Sequence, residues 1–134
     1  MKKQTNKFIC AIGRRKRSTA RIRLFTGKGQ SLINEKPLDE YFRGISSVAF
    51  LKPFSVLEQE GKYYVTARVV GGGIKGQLGA FVHGVSRALT QVQEGKFRKQ
   101  LKSSGLLTRD SREKERRKPG LAQSARAKKQ SPKR

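Results

Sequence analysis

Gly71, Gly73 and Gly76 repeat the G-x-G-x-x-G spacing with which a strand-to-helix turn brings backbone N–H groups against a pyrophosphate. Nucleotide chemistry is therefore the first possibility these residues raise. A dinucleotide site, however, needs a further parallel strand after the helix, with an acid at its end to hold the ribose, and a basic helix follows here instead. Gly71 and Gly76 also have P-loop spacing, yet Gln77 and Leu78 stand where Lys and Ser/Thr would bind phosphate and magnesium. Two other roles remain for the glycines. They can be a flexible entry into the helix, or their exposed N–H groups at its N-terminus, with Lys75 beside them, can grip one phosphate of an RNA backbone.

Other candidates for chemistry are sparse. His83 is the single histidine and lies mid-helix, with no Ser, Cys or carboxylate marked as its partner, so a satisfied or solvent-facing helical role is expected. Asp39 and Glu40 are adjacent, and adjacent residues on a helix point in different directions, so helix capping accounts for both. One His and one Cys cannot assemble a zinc centre, which takes four protein ligands or three plus water. Cys10 sits in an apolar run and is read as a small buried hydrophobe in a reducing compartment. No enzymatic activity, cofactor or metal is expected. No apolar run approaches the length of a membrane span, no secretory cleavage pattern follows the basic start, and the chain reads as cytoplasmic.

What the sequence does concentrate is positive charge. Residues 1–28 hold 10 Lys/Arg and no acid, residues 96–134 hold 15 against 3 acids, and the stretch between nets only +1 of the total +23. A near-neutral centre with two cationic arms suits a body whose extensions lie along a polyanion, because each cation that neutralises a phosphate also releases condensed counterions. A soluble face normally mixes signs, whereas Arg14, Arg15, Lys16, Arg17, Arg21 and Arg23 are six cations without an acid among them. From Thr108 onward only Leu121, Ala122, Ala125 and Ala127 are apolar and no aromatic occurs, so the tail cannot offset its own ordering entropy. Pro119, Gly120 and Pro132 further disfavour continuous helix there. Without tail aromatics, phosphate and groove contacts are the expected mode, with recognition by RNA shape.

The elements that must position these residues follow from periodicity. Phe8–Ile12 reads as a strand, and Gly13-Arg14-Arg15-Lys16-Arg17 as a turn. Ala20, Ile22 and Leu24 then alternate with Thr19, Arg21 and Arg23, so one face builds core while the other presents guanidinium groups. Gly27-Lys28-Gly29 breaks this strand, Ser31–Asn34 is a short third one, and Pro37–Phe42 starts a helix. Residues 46–57 are left open between helix and extended chain because Pro53 interrupts them. Tyr63–Val70 is a strand with Tyr63, Val65, Ala67 and Val69 on one side. A helix follows with Leu78, Phe81, Val82, Val85, Leu89 and Val92 as its apolar stripe, and then a shorter basic helix, Lys96–Ser104, capped by Gly105. All aromatics lie between Phe8 and Phe97, which bounds a folded body at 8–107 with room for a two-layer core, between a basic extension at 1–7 and a tail at 108–134.

Five stretches in order resemble the bacterial-type family of small-subunit ribosomal protein nine. They are Gly13-Arg14-Arg15-Lys16-Arg17-Ser18-Thr19-Ala20-Arg21, Asn34-Glu35-Lys36-Pro37-Leu38, Gly71-Gly72-Gly73-Ile74-Lys75-Gly76-Gln77, Gly84-Val85-Ser86-Arg87-Ala88-Leu89, and Leu107 through Lys118. The resemblance implies an α+β, two-layer fold like the second domain of ribosomal protein five. That fold has a mostly antiparallel sheet, helices packed on one face, a left-handed βαβ crossover and a long basic C-terminal tail. It implies a place in the head of the small subunit beside neighbouring ribosomal proteins, away from any membrane. Ribosomal RNA would be bound by the hairpin cations, by Gly72, Gly73, Lys75 and Gln77, and by Arg109, Arg112, Lys114, Arg116, Arg117, Lys118, Arg126, Lys128 and Lys129. Lys133 and Arg134 would touch peptidyl-site transfer RNA. The tail departs from the family's usual Gln-Phe-Ser-Lys-Arg ending, having Gln130-Ser131-Pro132-Lys133-Arg134, and Pro119 stands where the family tends to have Tyr. A general nucleic-acid compactor and a nucleotide-using enzyme on the glycine loop are the competing functions.

Overall fold

Period-two alternation of apolar residues commits three segments to one sheet, and the computed structural model, which describes residues 7–128, places them side by side. In chain order the elements are β1 (Phe8–Arg15), β2 (Ser18–Thr26), β3 (Leu32–Ile33), β4 (Lys36–Pro37), α1 (Leu38–Tyr41), α2 (Ser47–Leu57), β5 (Tyr63–Val70), α3 (Ile74–Val92) and α4 (Glu94–Ser103). The five strands run in the order β1-β2-β5-β3-β4, with only β3 and β5 parallel. The fold is thus α+β with a mostly antiparallel sheet.

Ala11, Ala20, Ile22, Leu24, Val65, Ala67 and Val69 point to one face and are buried under α3, which packs along β1 and β2 and reaches β5. Phe42, Phe50 and Phe81 meet behind that layer, with ring centroids 5.8–6.0 Å apart, and join α1 and α2 to α3. Phe97 and Leu101 of α4 close the same core. The opposite sheet face carries Cys10, Ile12, Arg21, Arg23, Arg68 and Val70, all exposed.

Several local expectations need correction. Cys10 is exposed, because in a strand the inward positions here go to Ala11 and Gly13, and period two sends Phe8, Cys10 and Ile12 outward. The first strand also continues past Ile12 to Arg15. Arg15 pairs with Ser18, so the turn is only Lys16-Arg17, with Lys16 at φ 51°. Gly13 is not a turn residue but the thinnest point of the sheet. A β-carbon there would overlap the carbonyl oxygen of Ala80 and the backbone of Gly84, and one on Gly84 would come within 2.6 Å of Ile22 Cγ1. Helix and strand touch backbone to backbone at this point.

Residues 46–57 resolve as a helix from Ser47 to Leu57, with Ser46 as its extended N-cap, despite Pro53, which is buried and deprives only the Ala49 carbonyl of its i+4 donor. The short third strand shrinks to Leu32–Ile33 and gains a partner in β4. Asn34 and Glu35 between them both have positive φ, as a two-residue type I′ hairpin requires. Pro37 precedes α1 as its N-cap, with Asp39 and Glu40 in the first turn as the dipole favours. Gly105 follows the cap of α4 at φ 73°, and Gly105 N–H and Leu106 N–H donate to the carbonyls of Lys102 and Leu101, a Schellman ending.

Gly13→Ala and Gly84→Ala should each destabilise the fold by about 1–3 kcal/mol or more through overpacking, with Gly13 the more sensitive because backbone cannot yield. Gly95→Ala, where nothing lies within 4 Å of a β-carbon, should be neutral or stabilising by up to about 1 kcal/mol. Urea unfolding midpoints of the three variants check this order.

Candidate nucleic-acid interface

The β1–β2 hairpin and the first part of the tail form one cationic unit. Leu106 and Leu107 pack half-buried against the core, and the chain then runs beside the hairpin turn. Arg15, only 20% exposed, forms an ion pair with Asp110, and its Nη1 also donates to the carbonyls of Asp110 and Arg112 at 3.5 Å. Arg17 Nε donates to Glu113 Oε1 at 2.9 Å. The third tail acid, Glu115, accepts from Arg126 Nε at 2.9 Å and lies 3.6 Å from Lys118 Nζ. A turn closed by Lys118 N–H donating to Ser124 O folds Arg126 back toward it.

Each of the tail's three carboxylates is therefore held by the protein's own cations. Hydrogen bonds from Arg112 keep the Asp110 carboxyl well below the usual carboxylate range, and the bond from Arg126 lowers the pKa of Glu115. Exposed pairs of this kind contribute little stability individually, but they fix the direction in which the tail leaves the body. Arg14, Lys16, Arg21, Arg23, Arg109, Lys114, Arg116, Arg117 and Lys128 are exposed and, among the described residues, make no ion pair. Lys129, Lys133 and Arg134 lie outside the described residues.

The glycine loop has a packing role that its motif spacing does not reveal. Gly71 and Gly72 have φ of 79° and 61°, and β-carbons on Gly71 and Gly72 would run into Arg17 O and Ser18 Oγ of the hairpin. Buried Ser18 donates from Oγ to Gly71 O at 2.9 Å. Gln77 is also engaged internally, since its Nε2 donates to Gly71 O at 3.2 Å while its Oε1 accepts from the Tyr41 hydroxyl at 2.7 Å. The loop thus locks hairpin, helix start and α1 together. At the helix N-terminus a β-carbon on Gly73 would meet nothing within 4 Å, and Lys75 is exposed.

His83 proves to be a satisfied helical residue. It begins a row at i, i+4 and i+8 on α3 that covers the outer edge of β1: Arg14 N–H donates to His83 Nδ1 at 3.3 Å, Arg87 Nη1 donates to Ile12 O at 2.6 Å, and Gln91 Nε2 donates to Cys10 O at 3.3 Å. Burial lowers the His83 pKa, with Arg87 adding to the effect. Sequence reasoning missed this row, although the four-residue spacing of three polar side chains was its signal. It also missed Asn34, whose side-chain amide pairs with Val69 in both directions at 2.9 and 3.0 Å and extends the β3–β5 ladder by one rung. Arg68, directly across from Arg21, escaped notice because its strand was read for its apolar face alone.

The family model for ribosomal protein S9/S16 matches residues 13–134. Among curated relatives, the small ribosomal subunit proteins uS9 of Dehalococcoides mccartyi strains BAV1 and CBDB1 are each 43% identical over 125 residues, covering 92% of this chain and 94% of theirs. The uS9 protein of strain 195 is 42% identical over the same span.

Because His83 is held neutral, its contribution to stability should be complete above the unfolded value near pH 6.5 and be lost as pH falls through the lower folded value. Protonation turns Nδ1 from acceptor into donor and breaks its bond with Arg14 N–H. Melting temperature should therefore drop more between pH 7 and pH 5 in the wild type than in His83→Gln, measured by thermal scans at fixed ionic strength.

Proposed function

Since this chain belongs to the ribosomal protein S9/S16 family, we propose a division of labour among its parts in binding RNA. The family is structural rather than enzymatic, and the chain is a structural constituent of the small ribosomal subunit that acts in translation. Its working units are a basic extension at 1–7, a globular body at 8–107 and a tail at 108–134. The body has the architecture of the second domain of ribosomal protein five, with the left-handed crossover between β3 and β5. It serves in the cytoplasmic ribosome, in the head of the subunit, where it holds ribosomal RNA beside neighbouring proteins.

One observation carries this assignment. The tail's acids are consumed by the protein's own Arg15, Arg17, Arg112 and Arg126, which leaves a run of exposed tail cations with no internal partner among the described residues. Arg109, Lys114, Arg116, Arg117 and Lys128, continued by Lys129, have phosphate as their natural counter-charge, and Arg112, Lys118 and Arg126 are held at defined places along the same track. Arg14, Lys16, Arg21 and Arg23 add contacts from the hairpin. Arg15 and Arg17 set the tail's root, and Arg17, being exposed, also reaches solvent-borne phosphate. Gly73 and Lys75 offer a phosphate seat at the start of α3, shaped from inside by Gly72 and Gln77. At the far end Lys133 and Arg134 support peptidyl-site transfer RNA electrostatically.

Affinity for small-subunit ribosomal RNA should fall steeply with salt, and should exceed affinity for duplex DNA of equal length at the same salt. Filter binding over a salt series tests both statements, and equal affinities would instead favour a general nucleic-acid compactor. Removal of Lys133 and Arg134 should leave folding and subunit assembly intact. It should weaken peptidyl-site transfer-RNA binding by one or two charge-assisted contacts, each about 1.5–3 kcal/mol at most. Unchanged affinity and off-rate in truncated subunits would refute that role for the tail tip.

A further inference from the structure

The sheet has one face under the helices and one without any covering layer among the described residues, and that open face is chemically unusual. Arg21 on β2 and Arg68 on β5 are direct cross-strand partners, a like-charge arrangement that by itself weakens a sheet. Both are exposed, and neither has a carboxylate partner among the described residues. Arg23, two residues along β2 on the same face, lies with its guanidinium 5.4 Å from the centroid of the Phe8 ring. Phe8 leans on Phe25, which stacks on Tyr64 at 4.9 Å, so a shelf of rings across three strands holds this arginine upright.

Apolar exposure is concentrated in the same place. Of the five large hydrophobics left exposed among the described residues, Phe8, Ile12 and Val70 are on this face. Ile12 and Val70, together with Arg21, Arg23 and Arg68, line a depression of ≈ 920 Å³ in which Glu35 is the sole carboxylate. A solvated sheet face ordinarily mixes signs and carries few large apolar groups. Guanidinium groups forced together call for an anion, and the apolar surface between them calls for more than a bare anion. A nucleic-acid strand supplies both, with phosphates for the fork of each arginine and sugar and base surface for the apolar patch. The three strands β1, β2 and β5 span about 10 Å, the width of one extended strand, and unpaired RNA is what open sheet faces take up in RNA-binding domains.

We propose that the open face of the sheet is a second RNA-binding surface beyond the tail track, on which Arg21 and Arg23 of the hairpin, joined by Arg68 of β5, hold the backbone of an unpaired RNA segment. The proposal rests on the RNA-binding function above and adds Arg68, which that function did not require.

The full-length protein, labelled with nitrogen-15 and titrated with a short oligouridylate, provides the test. The amides of Cys10, Ile12, Arg21, Thr66 and Arg68 should shift together with those of the tail. In Arg21→Ala/Arg68→Ala the tail shifts should persist while the sheet-face shifts vanish, and the slope of log affinity against log salt should fall by about 1.4, the single-strand value for two phosphate contacts. Loss of the facing charges should leave the double variant at least as heat-stable as the wild type without RNA. Arg68→Gln alone should lower the slope by about 0.7, which keeps the test valid if the double variant folds poorly. Shifts in the tail alone would overturn the proposal and leave the tail's RNA binding standing, whereas no shift anywhere would overturn both. Equal sheet-face shifts from an oligoglutamate of the same charge would assign the face to an acidic protein segment. Broadening of the same signals with protein concentration alone would assign it to a second copy of this chain.

Discussion

Contact between Gly13 and Gly84 sets the separation of the helix layer from the sheet, and most of the functional geometry follows from that separation. With no side chain on either residue, α3 comes down onto β1 until backbone meets backbone. Ala80 and Ala88 extend the close contact along the helix, both fully buried. Only at this distance can His83, Arg87 and Gln91 reach the free edge of β1. The same proximity presses the start of α3 against the hairpin turn, where Gly72, Gly76 and Ser18 interlock. Arg15 is thereby held beside Asp110, and the tail leaves the body at a defined point.

Charge is separated along the chain more sharply than in space. All three acids of the basic C-terminal region are spent on internal ion pairs, so they act as fasteners for the tail and not as diluents of its charge. The low pKa of Asp110 has the same origin as its anchoring, since the hydrogen bonds from Arg112 that favour its charged form also define the bend of the chain at that point. A tail with no acids would carry more charge and have no preferred direction.

Much of this was legible in the amino-acid sequence. Alternation in Thr19–Leu24 and Tyr63–Val70 identified the central strands and their inward faces, and the 3.6-residue stripe identified α3. Charge asymmetry pointed to a polyanionic partner, and the ordered motifs identified the family. The errors share a cause. Gly13 was taken for a turn and Cys10 for core because local pattern cannot tell which residue of a strand will lie beneath a helix. The large residues of α3 are buried or half-buried as its stripe implied, but the stripe did not show that Gly84 lets the helix backbone come down onto the sheet. Gln77 and Asn34 carry no local sign of their hydrogen bonds, whose partners lie up to 36 residues away.

Both borders of the sheet are closed by the chain itself. On one side three helix side chains occupy the positions where an added strand would bond, and on the other β4 is two residues long and ends in Pro37. Electrostatic repulsion between copies fades once a polyanion screens it, which is when crowding along one RNA would bring bare strand borders together. With its borders closed, the sheet offers no ladder to a second copy, so the barrier to intermolecular strand addition is set by hydrogen bonding within the fold and does not weaken when net charge is screened.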